Sequence, residues 1–146
     1  MTQVLYRTAT LTDVDQVKAL TDVMLEHTGL GVASRAKIHA MIASSKGTGI
    51  LAFVDDRLVG YTYGILHENI FNDVLRVTDI GVFVLPKYRS LDIAKNLIER
   101  LEAWAKDKGA QQFWLGQTTG DNIDVVAEYY RRLGFKIRGF NAVKEL

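Results

Sequence analysis

The chain's only proline marks the stretch that most constrains the fold. Val82-Phe83-Val84-Leu85 is an apolar, β-branched run that reads as a strand. Pro86 ends it, and after Lys87-Tyr88-Arg89 a helical pattern begins at Ser90. A strand, a tight turn and a helix N-terminus in succession make an anion-binding geometry. The first-turn N–H groups of a helix have no partner within it, and the peptide dipoles add partial positive charge there. Arg89, at the mouth of the turn, adds a guanidinium able to hold phosphate oxygens as a bidentate pair.

A length of 146 residues suits one domain, expected to span 1–146, with room for a real core. A hydrophobic fraction of 48% with 24% charged residues is that of a soluble globular chain. A formal net charge of +1 argues against an extended nucleic-acid surface. The longest apolar run, Ile80 to Leu85, is too short to span a bilayer, and the first residues lack the pattern of a secretory signal, so a cytoplasmic location without membrane partners is expected. The absence of cysteine removes disulfides, thiolate nucleophiles and thiolate metal ligands together. His27, His39 and His67 are widely spaced and form no ligand motif, so no metal site is expected.

The hydrophobic periods place the elements. Val4 to Ala9 reads as a strand, and Thr12 as the N-cap of a helix reaching about Glu26, with Asp15 three residues later. A second helix starts at Ser34 and carries Ile38, Met41 and Ile42. Ile50–Val54 and Leu58–Leu66 flank a polar turn and read as a β-hairpin, followed by a strand from Leu75 to Leu85. The longest helix is expected over Ser90–Lys108, with an apolar stripe of Ile93, Leu97, Leu101, Trp104 and Ala105. Gln111–Gly116 returns as a strand. A last helix with Val125, Val126, Tyr129, Tyr130 and Leu133 at core spacing stops at Gly134, and Phe135–Phe140 with Val143 supplies one or two terminal strands. The order indicates a mixed α/β sheet domain.

Val82-Phe83-Val84, Pro86, Tyr88, Arg89 and the Ile93-Ala94 entry to a helix resemble the coenzyme A pyrophosphate loop of the GNAT N-acetyltransferase superfamily. That loop reads Arg or Gln, two residues, Gly, one residue, then Gly or Ala; here Arg89 and Ala94 match and Asp92 replaces the glycine. The opening Tyr6-Arg7-Thr8-Ala9-Thr10-Leu11-Thr12-Asp13, Leu58-Val59-Gly60-Tyr61 and Tyr129-Tyr130-Arg131-Arg132-Leu133-Gly134-Phe135 extend the resemblance over nearly the whole chain. It implies a mostly antiparallel central sheet flanked by helices, with a splayed parallel strand pair forming a cleft for acetyl-CoA. It further implies transfer of an acetyl group to a primary amine by direct attack. Terminal strands of such a fold can pair across a homodimer.

The resemblance also assigns roles. The backbone of Val82, Phe83 and Val84 would pair with the pantetheine arm, and Arg89, Ser90, Leu91, Asp92, Ile93 and Ala94 would surround the pyrophosphate. Tyr130 falls on the tyrosine that protonates the departing sulfur, and Asp79 lies near an acidic base, with Glu68 and His67 on the neighbouring strand as its rivals. Asn122 is one residue out of register with an asparagine that binds the pantetheine arm. As residues in their own right, Tyr129 and Tyr130 suit a core face, and Asp121 and Asn122 suit a turn or cap. Trp104 and Trp114 suit packing, and Lys106, Lys108, Arg131 and Arg132 suit charged helix faces. Asp92, placed in the first helical turn with helical backbone, would compensate the dipole and would also repel a phosphate. Asp92 and the uncertain base give the alternative: a non-catalytic GNAT-fold binding or regulatory protein with weakened CoA binding.

Overall fold

The structure is a computed structural model that describes residues 2–26, 28–29, 31–117 and 122–146. The chain divides into two compact units, residues 1–116 and 117–146.

The first unit is a five-stranded sheet in sequential order. Its strands are β1 (Leu5–Thr8), β2 (Gly47–Val54), β3 (Arg57–Glu68), β4 (Leu75–Val84) and β5 (Gln112–Trp114). Every neighbouring pair is antiparallel except β4 with β5. The helices are α1 (Val14–Glu26) and α2 (Arg35–Ala43), before β2, and α3 (Ile93–Asp107), which connects the parallel pair. This is the expected mixed, mostly antiparallel sheet flanked by helices.

Alternation along the strands sends apolar residues to both faces. Leu51, Phe53, Tyr61 and Phe83 pack with Val14, Val17, Leu20 and Ile38 of α1 and α2. Ile50, Ala52, Val54, Val77 and Val84 pack with Ile93, Leu97 and Leu101 of α3. The stripe of α3 is as its period predicts, with Ile98 also buried and Trp104 packed at the margin. The β2–β3 hairpin turns through Asp55 and Asp56, both with positive φ (48° and 63°). Two such residues give the mirror-image turn whose twist matches the flanking strands. Two register shifts adjust the faces. One leaves Val59 extra opposite Ala52 and Phe53, and the other leaves Ile80 extra opposite Tyr63 and Gly64. Gly64 is required where α3 crosses β3, since a Cβ there would lie 2.6 Å from the Leu101 Cδ1 atom.

The start of α1 differs from expectation. Thr10, not Thr12, is the cap: Asp13, ending a 3-10 turn over Leu11–Asp13, accepts the Thr10 backbone N–H at 2.8 Å. The same carboxylate takes Arg7 Nη1 and Nη2 at 2.8 and 2.7 Å, a contact from the end of β1 that goes with a cap two residues earlier than expected. Strand β5 is also shorter than Gln111–Gly116, because its ladder with β4 holds only from Arg76↔Gln112 to Thr78↔Trp114.

The second unit contains α4 (Ile123–Arg132). Gly134, at φ 96°, ends the helix, with the Phe135 N–H on the Tyr130 carbonyl and the Gly134 N–H on the Arg131 carbonyl, both at 3.0 Å. The expected terminal strands are absent: residues 135–146 form neither helix nor strand. Gly139, at φ 66°, interrupts the extended backbone that the pattern of Phe135 to Phe140 suggested.

Candidate active site

The parallel pair forks. Up to Thr78, β4 is paired on both sides; from Asp79 onward only β3 pairs with it among the described residues. The fork point is tied outside the ladder by the Gly116 N–H donating to Asp79 Oδ1 at 2.9 Å. This is the expected splayed parallel pair.

Hydrogen-bond phase decides which amides face the fork. The Leu85 N–H donates to the Val59 carbonyl at 2.9 Å, and Val59 to Tyr63 run antiparallel to Gly81 to Leu85 in unbroken register. In such a ladder the bonded pairs alternate, so Phe83 and Gly81 turn their peptide groups toward β3, while Val82 and Val84 turn theirs toward the fork. The sequence nominated Phe83 together with Val82 and Val84. Phe83 instead gives its peptide to the sheet and its ring to the α1–α2 core. Nothing in the sequence marks this phase.

Beyond the strand, Pro86–Leu91 forms a 3-10 turn. Arg89 folds back over β4, its Nε–H donating to the Val84 carbonyl at 3.0 Å and its guanidinium lying 6.0 Å from the Phe83 ring centre. That bond uses one of five donors. Ser90 is exposed and Leu91 half-buried in the same turn.

The helix starts later than Ser90. α3 begins at Ile93, and Asp92 is not in its first turn but at the N-cap, with left-handed backbone (φ 56°, ψ 26°) and no capping bond from its side chain. This conformation explains why the resembling loop has glycine here: only glycine adopts it without steric cost. The Asp92 carbonyl accepts Asn96 N–H at 3.1 Å and Asn96 Nδ2 at 2.9 Å. The amides of Ile93, Ala94 and Lys95 precede that first bond and have no carbonyl partner within the helix. The Ile93 side chain is fully buried in the α3 core, so only its backbone is available. The Asp92 charge acts on Tyr6 of β1. Burial raises the Tyr6 phenol, Arg100 (4.4 Å over its ring) lowers it, and Asp92 raises it again.

Asp79 carries the most distinctive electrostatics of the fork. Burial pushes its carboxyl from the ordinary 3.8 up to about 6, against the lowering effect of the Gly116 amide. A carboxylate with that poise accepts a proton near neutral pH. Its rivals sit elsewhere: Glu68 pairs with Leu75 and His67 with Arg76, at the closed end of β4. His67 Nε2 is 2.8 Å from Thr78 Oγ1.

Tyr130 and Asn122 belong to the second unit. The Tyr130 ring lies 6.4 Å from that of Tyr129 and 6.1 Å from that of Phe135. Asn122 is the N-cap of α4, left-handed at φ 48°, with its carbonyl accepting the Val126 N–H at 3.0 Å and no capping bond from its side chain. Asp121, the other turn or cap residue, and Thr118 to Gly120 before it lie outside the described residues. No helix among the described residues is long and apolar enough to cross a membrane.

Comparison with known proteins agrees with this architecture. No curated protein sequence matches the chain. Among solved structures, a transcriptional regulator from Bacillus halodurans C-125 superposes with a TM-score of 0.82 at 20% identity, over 99% of this chain and 100% of that one. A ribosomal-protein-alanine N-acetyltransferase from Brucella melitensis biovar Abortus 2308 gives 0.78 at 17% identity over 99% of both chains. The aminoglycoside N-acetyltransferase AAC(6')-Iy, in complex with CoA, gives 0.80 at 16% identity over 100% of this chain and 96% of that one. These likenesses establish a shared fold. The sequence model of the acetyltransferase (GNAT) family matches residues 31–135, from α2 through the hairpin, the forked pair and α3 to the Leu-Gly-Phe end of α4, and the chain therefore belongs to that family.

Proposed function

We propose that this chain, acting as one domain over residues 1–146, is an acetyl-CoA-dependent N-acetyltransferase that acylates a primary amine by direct attack. The observation that carries the reading is the succession of donors along β4 and into α3: the Val82 and Val84 peptide groups, Arg89, and the first-turn amides of α3. An extended amide-bearing arm pairs with the first as an added strand would, and a pyrophosphate suits the last two. Asp92 is the one member of the wrong sign, and its charge also contributes to raising the Tyr6 phenol.

Bound acetyl-CoA supplies an activated acyl thioester. The residues of the chain hold and neutralise. The outward Val84 N–H donates to the thioester carbonyl oxygen, where negative charge develops. Asp79 takes a proton from the ammonium or attacking amine, directly or through water, and the Tyr130 hydroxyl gives one to the departing sulfur as the carbon–sulfur bond breaks. Ser90, Leu91, Ile93 and Ala94 contribute backbone around the pyrophosphate, and Asn122 contacts the pantetheine arm.

Calorimetric titration with acetyl-CoA tests this reading. Saturable binding that weakens by about tenfold in Arg89→Ala supports it, as expected for loss of a charge-assisted contact. Tyr130→Phe lowers kcat with the affinity for acetyl-CoA unchanged; unaltered turnover removes the proposed acid. A second reading rests on Asp92, whose charge and left-handed backbone occupy the glycine position: a non-catalytic binding or regulatory protein of the same fold. The neighbour from Bacillus halodurans, described as a transcriptional regulator, is in keeping with it. A folded protein that does not bind acetyl-CoA selects this second reading.

A further inference from the structure

We propose that Arg76 and Trp114 form a binding shelf for a carboxylate or similar oxyanion on the sheet face opposite α3. Val77 packs in the α3 core, so alternation sends Arg76 and Thr78 to the other face. Register adds their neighbours: Arg76 lies between His67 and Gln112, and Trp114 stands opposite Thr78. Five polar or aromatic side chains therefore share one patch.

Within the patch the other polar groups are matched. His67 Nε2 meets Thr78 Oγ1 at 2.8 Å and its Nδ1 meets the Glu68 carbonyl at 3.2 Å. Trp114 Nε1 donates to Gln112 Oε1 at 3.0 Å, which fixes the indole plane. Arg76 lies over that plane at 4.9 Å. Its Nε is buried with no hydrogen-bond partner, and no carboxylate pairs with it among the described residues.

A guanidinium held flat on an indole, with its neighbours paired to one another, is a preorganised fork lacking an acceptor. Unlike Nε, the terminal Nη groups are not closed off, and with no carboxylate on them among the described residues they are the donors an incoming oxyanion meets. The shelf is rigid: the strand before it is fixed by the Gln111 N–H on the Leu75 carbonyl at 2.8 Å and by Gln111 Oε1 on the Leu75 N–H at 3.1 Å. Arg76 is three residues from Asp79 along β4, about 10 Å away, with Asp79 on the Val77 side of the strand, so a ligand touching both must pass the fork where β5 ends. The anion thus comes either from a carboxylate on the acceptor, remote from its amine, or from a free small anion.

The chain has two tryptophans, so Trp104→Phe leaves Trp114 as the only indole reporter. In that background, titration with succinate or inorganic phosphate is expected to change Trp114 fluorescence saturably. Arg76→Gln should weaken the apparent affinity by about tenfold or more, and Arg76→Lys, which keeps the charge but not the planar fork, should weaken it as well. A thermal melt checks that each variant is folded. No saturable change, or one that survives intact in Arg76→Gln, overturns the shelf. This arm needs no transferase activity. A second arm, resting on the acetyl-transfer reading above, compares an amine acceptor bearing a carboxylate with its primary amide. Selective loss of kcat/KM for the carboxylate form in Arg76→Gln assigns the anion to the acceptor; equal loss for both, with fluorescence binding retained in the parent, assigns it to a free anion.

Discussion

Asp13, at the corner where β1 meets α1, and Asp79, at the fork of β4 and β5, are the same side chain withdrawn from water in two ways. Asp13 is 3% exposed, yet the Arg7 guanidinium and the Thr10 amide more than offset its burial and hold its carboxyl down at about 2. Asp79 receives the Gly116 amide but no cation among the described residues, and burial wins, lifting it to about 6. Burial alone therefore does not set the role of a carboxylate. A paired cation turns Asp13 into a permanent strut, whereas its absence leaves Asp79 able to exchange a proton near neutral pH.

The sharpest way to break this contrast is Asp79→Asn. The amide oxygen still accepts the Gly116 N–H, but the proposed base is gone, so kcat/KM at pH 7 should fall by about 100-fold. The parent's activity should decline as pH falls through about 6, and the variant's should not follow. Unchanged turnover with an unchanged pH profile would make Asp79 a clasp only.

Asp13→Ala should act on stability instead. It removes the acceptor of three N–H groups, but Arg7 is half-exposed and can return to water, so the cost is about 2 kcal/mol. Urea unfolding measures it, and turnover per folded molecule should stay that of the parent. A parallel loss of turnover would show that the corner and the fork are coupled.

The smallest effect is in the pH dependence of folding, where the two groups have opposite signs. Asp13 is lowered in the fold, so its contribution is present above its ordinary 3.8 and is lost as pH falls toward about 2. Asp79 is raised, so its contribution is full below 3.8 and is lost as pH rises through about 6. Asp79→Asn removes the second slope. Its stability relative to the parent should therefore improve between pH 4 and pH 7, by about 1 kcal/mol after allowance for solvent screening. Denaturation midpoints across that range would show it, and a constant gap would mean that Asp79 ionises in the fold as it does in the unfolded chain.

Much of the fold was legible because local pattern and tertiary need coincide. The stripe Ile93, Leu97, Leu101 and Ala105 has one helical period and one face to bury. The hairpin about Asp55 and Asp56 has two apolar runs and a polar turn. Legibility failed where composition allows more than one cap or turn and a specific contact or backbone reversal decides between them. Thr12 is a good cap by composition, yet Arg7 draws Asp13 into the capping position behind Thr10. Ser90 looks like a helix start, yet the 3-10 turn continues to Leu91 and Asp92 reverses its backbone before α3 begins.

By itself the sequence determined the order of elements up to α4, the two faces of the sheet and the turn carrying Arg89, because side-chain period and proline act within a few residues. Tertiary structure decided which peptide groups of β4 face the fork, where the ladder to β5 stops and how Asp79 is poised. Those depend on ladder phase, on a one-residue bulge at Ile80 and on desolvation, and each is fixed only when separate strands meet.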